Sequence, residues 1–293
     1  MADIESKVSE SRRTHRARRE TAAAGAKRSR AGRNLPVAIS VGLLLAAVVI
    51  GSLVFYPWVF VALVTIAAGV GVWEVDHAFR AGRICPPFPP VLLSIALVPL
   101  AYVWGAEALA IGFAASVALI LLWRSVGPKE DAARDVAGGV FIVAYVPLLC
   151  AIASLMVSAP DGVGRVLTFI LVTVASDTGG FAVGVFKGRS PMAPSLSPKK
   201  SWEGFAGSVG TSALVGAAAV FLLLDGRWWV GLLVGAVAAV FATVGDLAES
   251  SIKRDVGIKD MGNVLPGHGG VMDRLDSMVV TAPVCWVLLS LFV

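Results

Sequence analysis

Charge is scarce in this sequence of 293 residues. Asp, Glu, Lys and Arg make up 15% of it, while 57% is hydrophobic. Soluble globular chains carry roughly 25% charged and about 45–50% apolar residues. A chain this poor in charge has too little polar surface to cover itself in water, which excludes an ordinary soluble protein and points to a polytopic membrane protein. Cysteine is scarce too. Cys85, Cys150 and Cys285 are odd in number and set in apolar runs, so a disulfide scaffold is excluded and they read as small buried hydrophobes. With three histidines and no His/Cys ligand spacing, a zinc site is excluded. There is no Walker-type Gly-rich Lys loop and no Gly-x-Ser-x-Gly elbow. No internal repeat marks the chain as an inverted-repeat transporter. The 31 glycines and 15 prolines follow no collagen period. Disorder needs low hydrophobicity, which is missing from most of the chain.

The exception is residues 1–34, which hold ten Lys/Arg and four Asp/Glu, a balance of +6. The rest of the chain has 15 basic and 16 acidic residues, a balance of −1. The net charge of +5 therefore describes a tail. Lacking any apolar period, the tail reads as a disordered, basic cytosolic segment. It has the charge to touch anionic lipid. No aromatics interleave with its arginines, so no nucleic-acid partner is expected. Its basic region is too long, and without a small-residue cleavage site, for a cleaved signal peptide.

A spanning helix needs about 20 mostly apolar residues. The apolar runs predict nine, near 36–56, 58–76, 90–104, 106–123, 135–156, 166–186, 204–224, 228–248 and 275–293. The expected fold is thus an all-α polytopic membrane protein of about nine transmembrane helices, with the N-terminus cytosolic and the C-terminus outside. Loop charge agrees with this count. With a cytosolic N-terminus, the tail and the loops near 77–89, 124–134, 187–203 and 249–274 place 23 of the 25 basic residues inside, leaving Arg165 and Arg227 outside, as the positive-inside rule asks. Residues 35–160 read as N-terminal transmembrane helices. Residues 161–293 read as the catalytic transmembrane region, with a cytosolic hairpin over 249–274.

Ionisable groups in or beside spans are costly and so are functional candidates; here they gather in the last 120 residues or so. Ser176-Asp177-Thr178-Gly179-Gly180 interrupts an apolar span, where the glycines allow close approach of a neighbour or a ligand. Helix packing would also explain it. Ser197-Pro198-Lys199-Lys200-Ser201-Trp202-Glu203-Gly204 precedes a span. Pro198 suits a helix start, and the lysines either anchor topology or meet phosphate as point charges. Asp246, Glu249, Ser250 and Lys253 stand at i, i+3, i+4 and i+7, on one helix face. Acids and hydroxyls so placed at a membrane boundary suit a hard, oxygen-liganded cation. Leu265-Pro266-Gly267-His268-Gly269-Gly270 forces a turn whose N–H groups can bind an anion. Asp273 and Asp276 then open the last helix, where acids are also plain dipole partners. Acids for metal, bases for phosphate and glycines for close backbone approach make a parts list for metal-assisted phosphoryl or nucleotidyl transfer.

These motifs resemble the phosphatidate cytidylyltransferase (CDP-diacylglycerol synthase) family. The family's signature is read in Ser250, Lys253-Arg254, Lys259-Asp260, Pro266, His268-Gly269-Gly270, Asp273-Arg274 and Asp276, with Gly262 and Leu265 at the permitted small and apolar positions. The Ser-Asp-Thr-Gly, Ser-Pro-Lys-Lys-Ser-Trp-Glu-Gly and Gly245-Asp246-Leu247 stretches resemble it as well. The strong resemblance covers about 175–277; earlier residues match only as hydrophobic spans. Gly180-Phe181 stands where Ala-Tyr is usual, and Ser201 where Thr is commoner. The resemblance implies transfer of a cytidylyl group from CTP to phosphatidate, giving CDP-diacylglycerol and pyrophosphate, in a homodimeric, multi-pass protein of the cell membrane whose active site faces the cytosol. It implies Mg²⁺, with room for a second cation. Asp246 and Asp273 are the leading metal ligands, with Glu249 in the metal set and Asp276 and Asp177 close by. Asp246, Asp273, Asp276 and Lys253 are the expected catalytic residues. Expected to bind substrate are Ser176, Asp177, Lys199, Lys200, Trp202, Glu203, Ser250, Arg254, Lys259, Asp260, His268, Gly269, Gly270 and Arg274.

Two other readings compete. A cytidylyltransferase or CTP-dependent kinase acting on another membrane lipid would share this chemistry and differ in the lipid pocket. A proton-coupled transporter would place acids at mid-membrane and show repeats, whereas these acids sit mainly at one rim beside phosphate-type bases.

Overall fold

The computed structural model describes residues 35–126, 130–194, 196–258, 260–262, 264 and 269–293. The basic tail, Lys259 and His268 lie outside the described residues. The chain divides into two units, Met1–Ala46 and Ala47–Val293. Of the first, only the opening of helix α1 (Leu35–Phe55) is described.

The remaining elements are helical, apart from one short hairpin of strands. They are α2 (Pro57–Ala81), α3 (Phe88–Leu93), α4 (Leu97–Ser125), α5 (Ala132–Val143), α6 (Leu149–Val157), α7 (Gly162–Lys187), β1 (Pro191–Ala193), β2 (Ser197–Ser201), α8 (Trp202–Leu223), α9 (Trp228–Asp255) and α10 (Met272–Phe292). Seven helical stretches among the described residues are long and apolar enough to cross a membrane, against the nine expected. Two places account for the difference. In α1 the apolar stretch that stands out is the shorter Gly42–Phe55. Further on, the expected spans 90–104 and 106–123 form one helical stretch, Phe88–Ser125. Its backbone leaves helical geometry at Gly105, with φ 78° and ψ −165°. Such a φ suits glycine alone without strain. Gly112 packs against the side chains of Leu97 and Leu100, which an unbroken helix would hold about 18 Å or more away. The chain therefore folds back at Gly105.

Local chemistry explains several boundaries. Pro57 opens α2, where its missing N–H costs nothing. Pro147 lies inside a π-helical turn, Ala144–Leu148, that joins α5 to α6; a residue without an N–H disrupts the regular ladder there. Pro198, expected to start a helix, lies instead in β2, which pairs antiparallel with β1. Proline is tolerated in an edge strand, and the helix starts later because the Ser201 side chain caps it, accepting from Gly204 N at 3.1 Å.

The C-terminal helices pack through small and hydroxyl residues, as helices in lipid do. Between α7 and α8, Ser208, Thr211 and Ser212 donate to the carbonyls of Ser176, Ala175 and Val172 at 2.8, 3.0 and 2.8 Å. Gly179 and Gly180 face Thr211 and Ser208, leaving no room for a side chain. Both glycines allow the approach of a neighbouring helix, and Gly180 also borders the hollow described below. Gly216 meets the backbone of Gly231 and Gly235 between α8 and α9. These contacts bring the polar ends of α7, α8, α9 and α10 around one hollow.

Candidate active site

A cavity of about 590 Å³ is lined from all four C-terminal helices and from the β-hairpin. Helix α7 supplies Ser176 and Asp177, β2 supplies Lys199 and Lys200, α9 supplies Asp246, Glu249, Ser250 and Lys253, and α10 supplies Asp273, Arg274 and Asp276. The i, i+3, i+4, i+7 set on α9 thus presents all four side chains to one space. Asp177 lies ten residues before the end of α7, so the cavity runs from the rim well into the helical layer, about 15 Å at 1.5 Å per residue.

Two ion-pair systems hold its walls. Lys200 Nζ donates to Asp246 Oδ2 at 2.6 Å, with each side chain 27% exposed. Deeper, Lys253 Nζ donates to Glu249 Oε2 at 2.6 Å and to Asp273 Oδ1 at 2.8 Å. Asp273 also accepts from Met261 N on both oxygens, at 3.1 Å each, and from Gly270 N at 3.0 Å. Its lone pairs are therefore engaged in holding the chain that enters α10. The other oxygen of Glu249, Oε1, is buried without a hydrogen-bond partner, and the Glu249 carboxyl interacts with that of Asp276. Asp276 Oδ1 accepts from Ser277 N at 2.8 Å, and Ser277 Oγ donates to Asp177 Oδ2 at 3.4 Å.

Other expected residues stand apart from the lining. The Glu203 carboxylate accepts from Arg189 N and Ser190 N at 3.1 and 3.2 Å, tying the start of the hairpin to α8. Trp202 is exposed and packs edge-on against Phe205. Arg254 and Asp260 are exposed. Gly269 has φ 87°, and the Gly270 N–H points to Asp273 rather than outward.

Two residues near the site escaped the sequence reading. Glu74, fully buried on α2, accepts from Val271 N at 3.0 Å and Met272 N at 2.8 Å. Tyr145, on the π-helical turn, has a buried hydroxyl without a hydrogen-bond partner and lies within electrostatic reach of Glu249, Asp276 and Asp246. The rule that flagged the C-terminal acids applies equally to Glu74, which stands within the expected span 58–76. Asp76, His77 and Arg80 follow it closely, so the group also reads as the plain polar end of a span. Tyr145 carries no such signal.

Among the described residues no group of three or more His, Cys, Asp or Glu side chains is gathered as a ready-made metal cage. The donor set still fits a hard cation of one kind. Mg²⁺ keeps several waters and is typically held by one or two carboxylates plus substrate phosphates. Asp246 and Glu249, one helical turn apart in the cavity wall with the Asp276 carboxyl against Glu249, offer that.

Comparison with known proteins gives a consistent result. A family model described as the cytidylyltransferase family matches residues 36–292. A phosphatidate cytidylyltransferase of Mycobacterium leprae is 42% identical over 282 residues, covering 89% of each chain. One from Mycobacterium bovis is 40% identical over 278 residues, covering 90% of each. One from Synechocystis is 29% identical over 282 residues, covering 87% of this chain and 94% of its own.

Proposed function

Since the chain belongs to the cytidylyltransferase family, we propose that it transfers a cytidylyl group from CTP to phosphatidate, giving CDP-diacylglycerol and pyrophosphate, in the cavity of the four C-terminal helices. The observation that carries this reading is the joining of acids and bases in one space that opens at the ends of spanning helices. One substrate is soluble and the other is held in lipid, so the reaction has to occur where water and bilayer meet.

The phosphate monoester of phosphatidate has a second pKa near 6, so its attacking oxygen is largely ionised at neutral pH and needs no strong base. The obstacle is repulsion between this dianion and the nucleotide triphosphate. Lys199, Lys200 and Arg274 meet the phosphates as cations, and holding both reactants in line converts the encounter to an effectively intramolecular step. Lys200 can exchange Asp246 for a phosphate oxygen as substrate enters. Asp246 and Glu249 would hold Mg²⁺, with Asp276 alongside; Asp273 would join them only by giving up Lys253. When bound, the ion neutralises phosphate oxygens and polarises the phosphorus under attack. Lys253 bonds both Glu249 and Asp273 and holds them in place. Ser176, Asp177 and Ser250 complete the floor on which a substrate group rests.

The cavity faces the cytosol in this reading, since the segments that line it, or adjoin its lining in sequence, carry Lys187, Arg189, Lys199, Lys200, Arg254 and Arg274 and CTP is a cytosolic nucleotide. The tail and N-terminus then lie inside, the C-terminus outside, and the protein sits in the cell membrane as a homodimer. Purified protein with α-phosphate-labelled CTP, phosphatidate and Mg²⁺ is expected to form a labelled lipid, and EDTA to stop it. Intact CTP and no labelled lipid, in protein that remains folded, would overturn the activity; full turnover in EDTA would overturn the metal.

A further inference from the structure

Helix α2 lies outside the region that carries the signature motifs, and it is apolar apart from its last turns. Glu74 is nevertheless 0% exposed. An isolated buried carboxylate is costly unless its oxygens are satisfied. Here they are met by the N–H groups of Val271 and Met272. These open α10, and a helix leaves its first N–H groups without intrahelical partners and concentrates positive potential there. The fit is close on every side. A side-chain carbon on Gly262 would collide with the Glu74 carboxylate, and one on Gly270 would stand 2.8 Å from both its oxygens. One turn earlier on the same face, a carbon placed on Gly71 would stand 3.0 Å from Val146 Cγ1 and in ordinary contact, 3.6 Å, with the Met272 sulfur.

We propose that Glu74 is a positioning residue for the reaction: from the N-terminal helices it sets the direction and register of the first turn of α10, and so aims Asp273, Arg274 and Asp276 into the cavity. The inference rests on the activity proposed above. Glu74 touches neither cation nor substrate in this role. It and Asp273 act together as a clasp on the backbone that enters α10. Glu74 takes the amides of Val271 and Met272, while Asp273 takes those of Met261 and Gly270. Glycine at 262 and 270 is then required by the carboxylate.

The test compares Glu74→Gln, Glu74→Asp and Glu74→Ala with Gly262→Ala and the double variant Glu74→Ala/Gly262→Ala, all purified in detergent. Hydrogen exchange of peptides spanning 269–276 is expected to quicken in Glu74→Gln while peptides from α7 and α8 are unchanged. This readout is independent of which lipid is the substrate, so it separates failure of the clasp from failure of the activity reading. In turnover, Glu74→Gln and Glu74→Ala are expected to lower kcat by about 10- to 100-fold, as a misplacement near 1 Å does, with KM for CTP and phosphatidate changed little. Glu74→Asp should recover part of the loss seen with alanine. Gly262→Ala should be damaging alone and add little to Glu74→Ala, since the collision it creates is with Glu74. Unchanged exchange at 269–276 in Glu74→Gln would overturn the proposal. So would wild-type kcat in Glu74→Ala, or a loss that tracks only the folded fraction and is the same for aspartate and alanine.

Discussion

The two ion-pair systems of the cavity differ in what water can reach. Lys200 and Asp246 are each 27% exposed and meet across 46 residues of chain. Lys253, Glu249 and Asp273 are 14%, 1% and 9% exposed. A half-open pair is worth little to the fold, so either partner can leave it for a phosphate or a cation at small cost. A closed cluster behaves oppositely: each charge has lost its water and depends on the others. The neighbouring pairs therefore divide the labour. One is available to substrate, and the other joins α9 to α10 through Lys253 while keeping Glu249 at the edge of the cation site.

The sharpest way to break this contrast is at Asp246. Asp246→Asn is expected to lower kcat by up to about 1,000-fold while leaving thermal unfolding in detergent unchanged; near-normal turnover at low Mg²⁺ would remove Asp246 from the metal set. Next comes Lys253→Met, which strands two buried carboxylates. The expected cost is about 3–5 kcal/mol of stability, visible as a marked fall in the thermal midpoint before activity is considered. Lys200→Ala should do the reverse. It should weaken CTP binding roughly tenfold, about 1.4 kcal/mol, and change stability by less than about 1 kcal/mol. If Lys200→Ala destabilised the protein as much as Lys253→Met, the division between an open and a closed pair would fail. The smallest effect is expected from deleting residues 1–30, which should leave turnover in well-inserted protein essentially intact, because a charged tail without apolar periodicity has nothing with which to build the cavity.

Legibility from sequence followed the range of the interactions. The α9 face was readable because helical geometry alone decides that residues 246, 249, 250 and 253 share a side. The spans were readable because burial in lipid demands long apolar runs. The β-hairpin over 191–201 was not, since strands of three and five residues, each containing a proline, carry no period strong enough to separate strand from loop. The reversal at Gly105 was placed as a boundary between two spans, yet the glycine itself carries no mark of how sharply the chain turns.

What the linear sequence determined is the chemistry available: a membrane-spanning body, acids and bases in its final third, and motifs similar to those of cytidylyltransferases. What tertiary structure decided is how each charge is used. Asp246 and Asp273 are alike in sequence, each an acid with a second carboxylate three residues on, in consecutive helices. Packing left the first facing a lysine in the open cavity and enclosed the second among amides and Lys253. The same packing brought Glu74 across 197 residues to the start of α10. No local pattern can encode that distance, because a carboxylate's role depends on which donors surround it, and those donors come from distant parts of the chain.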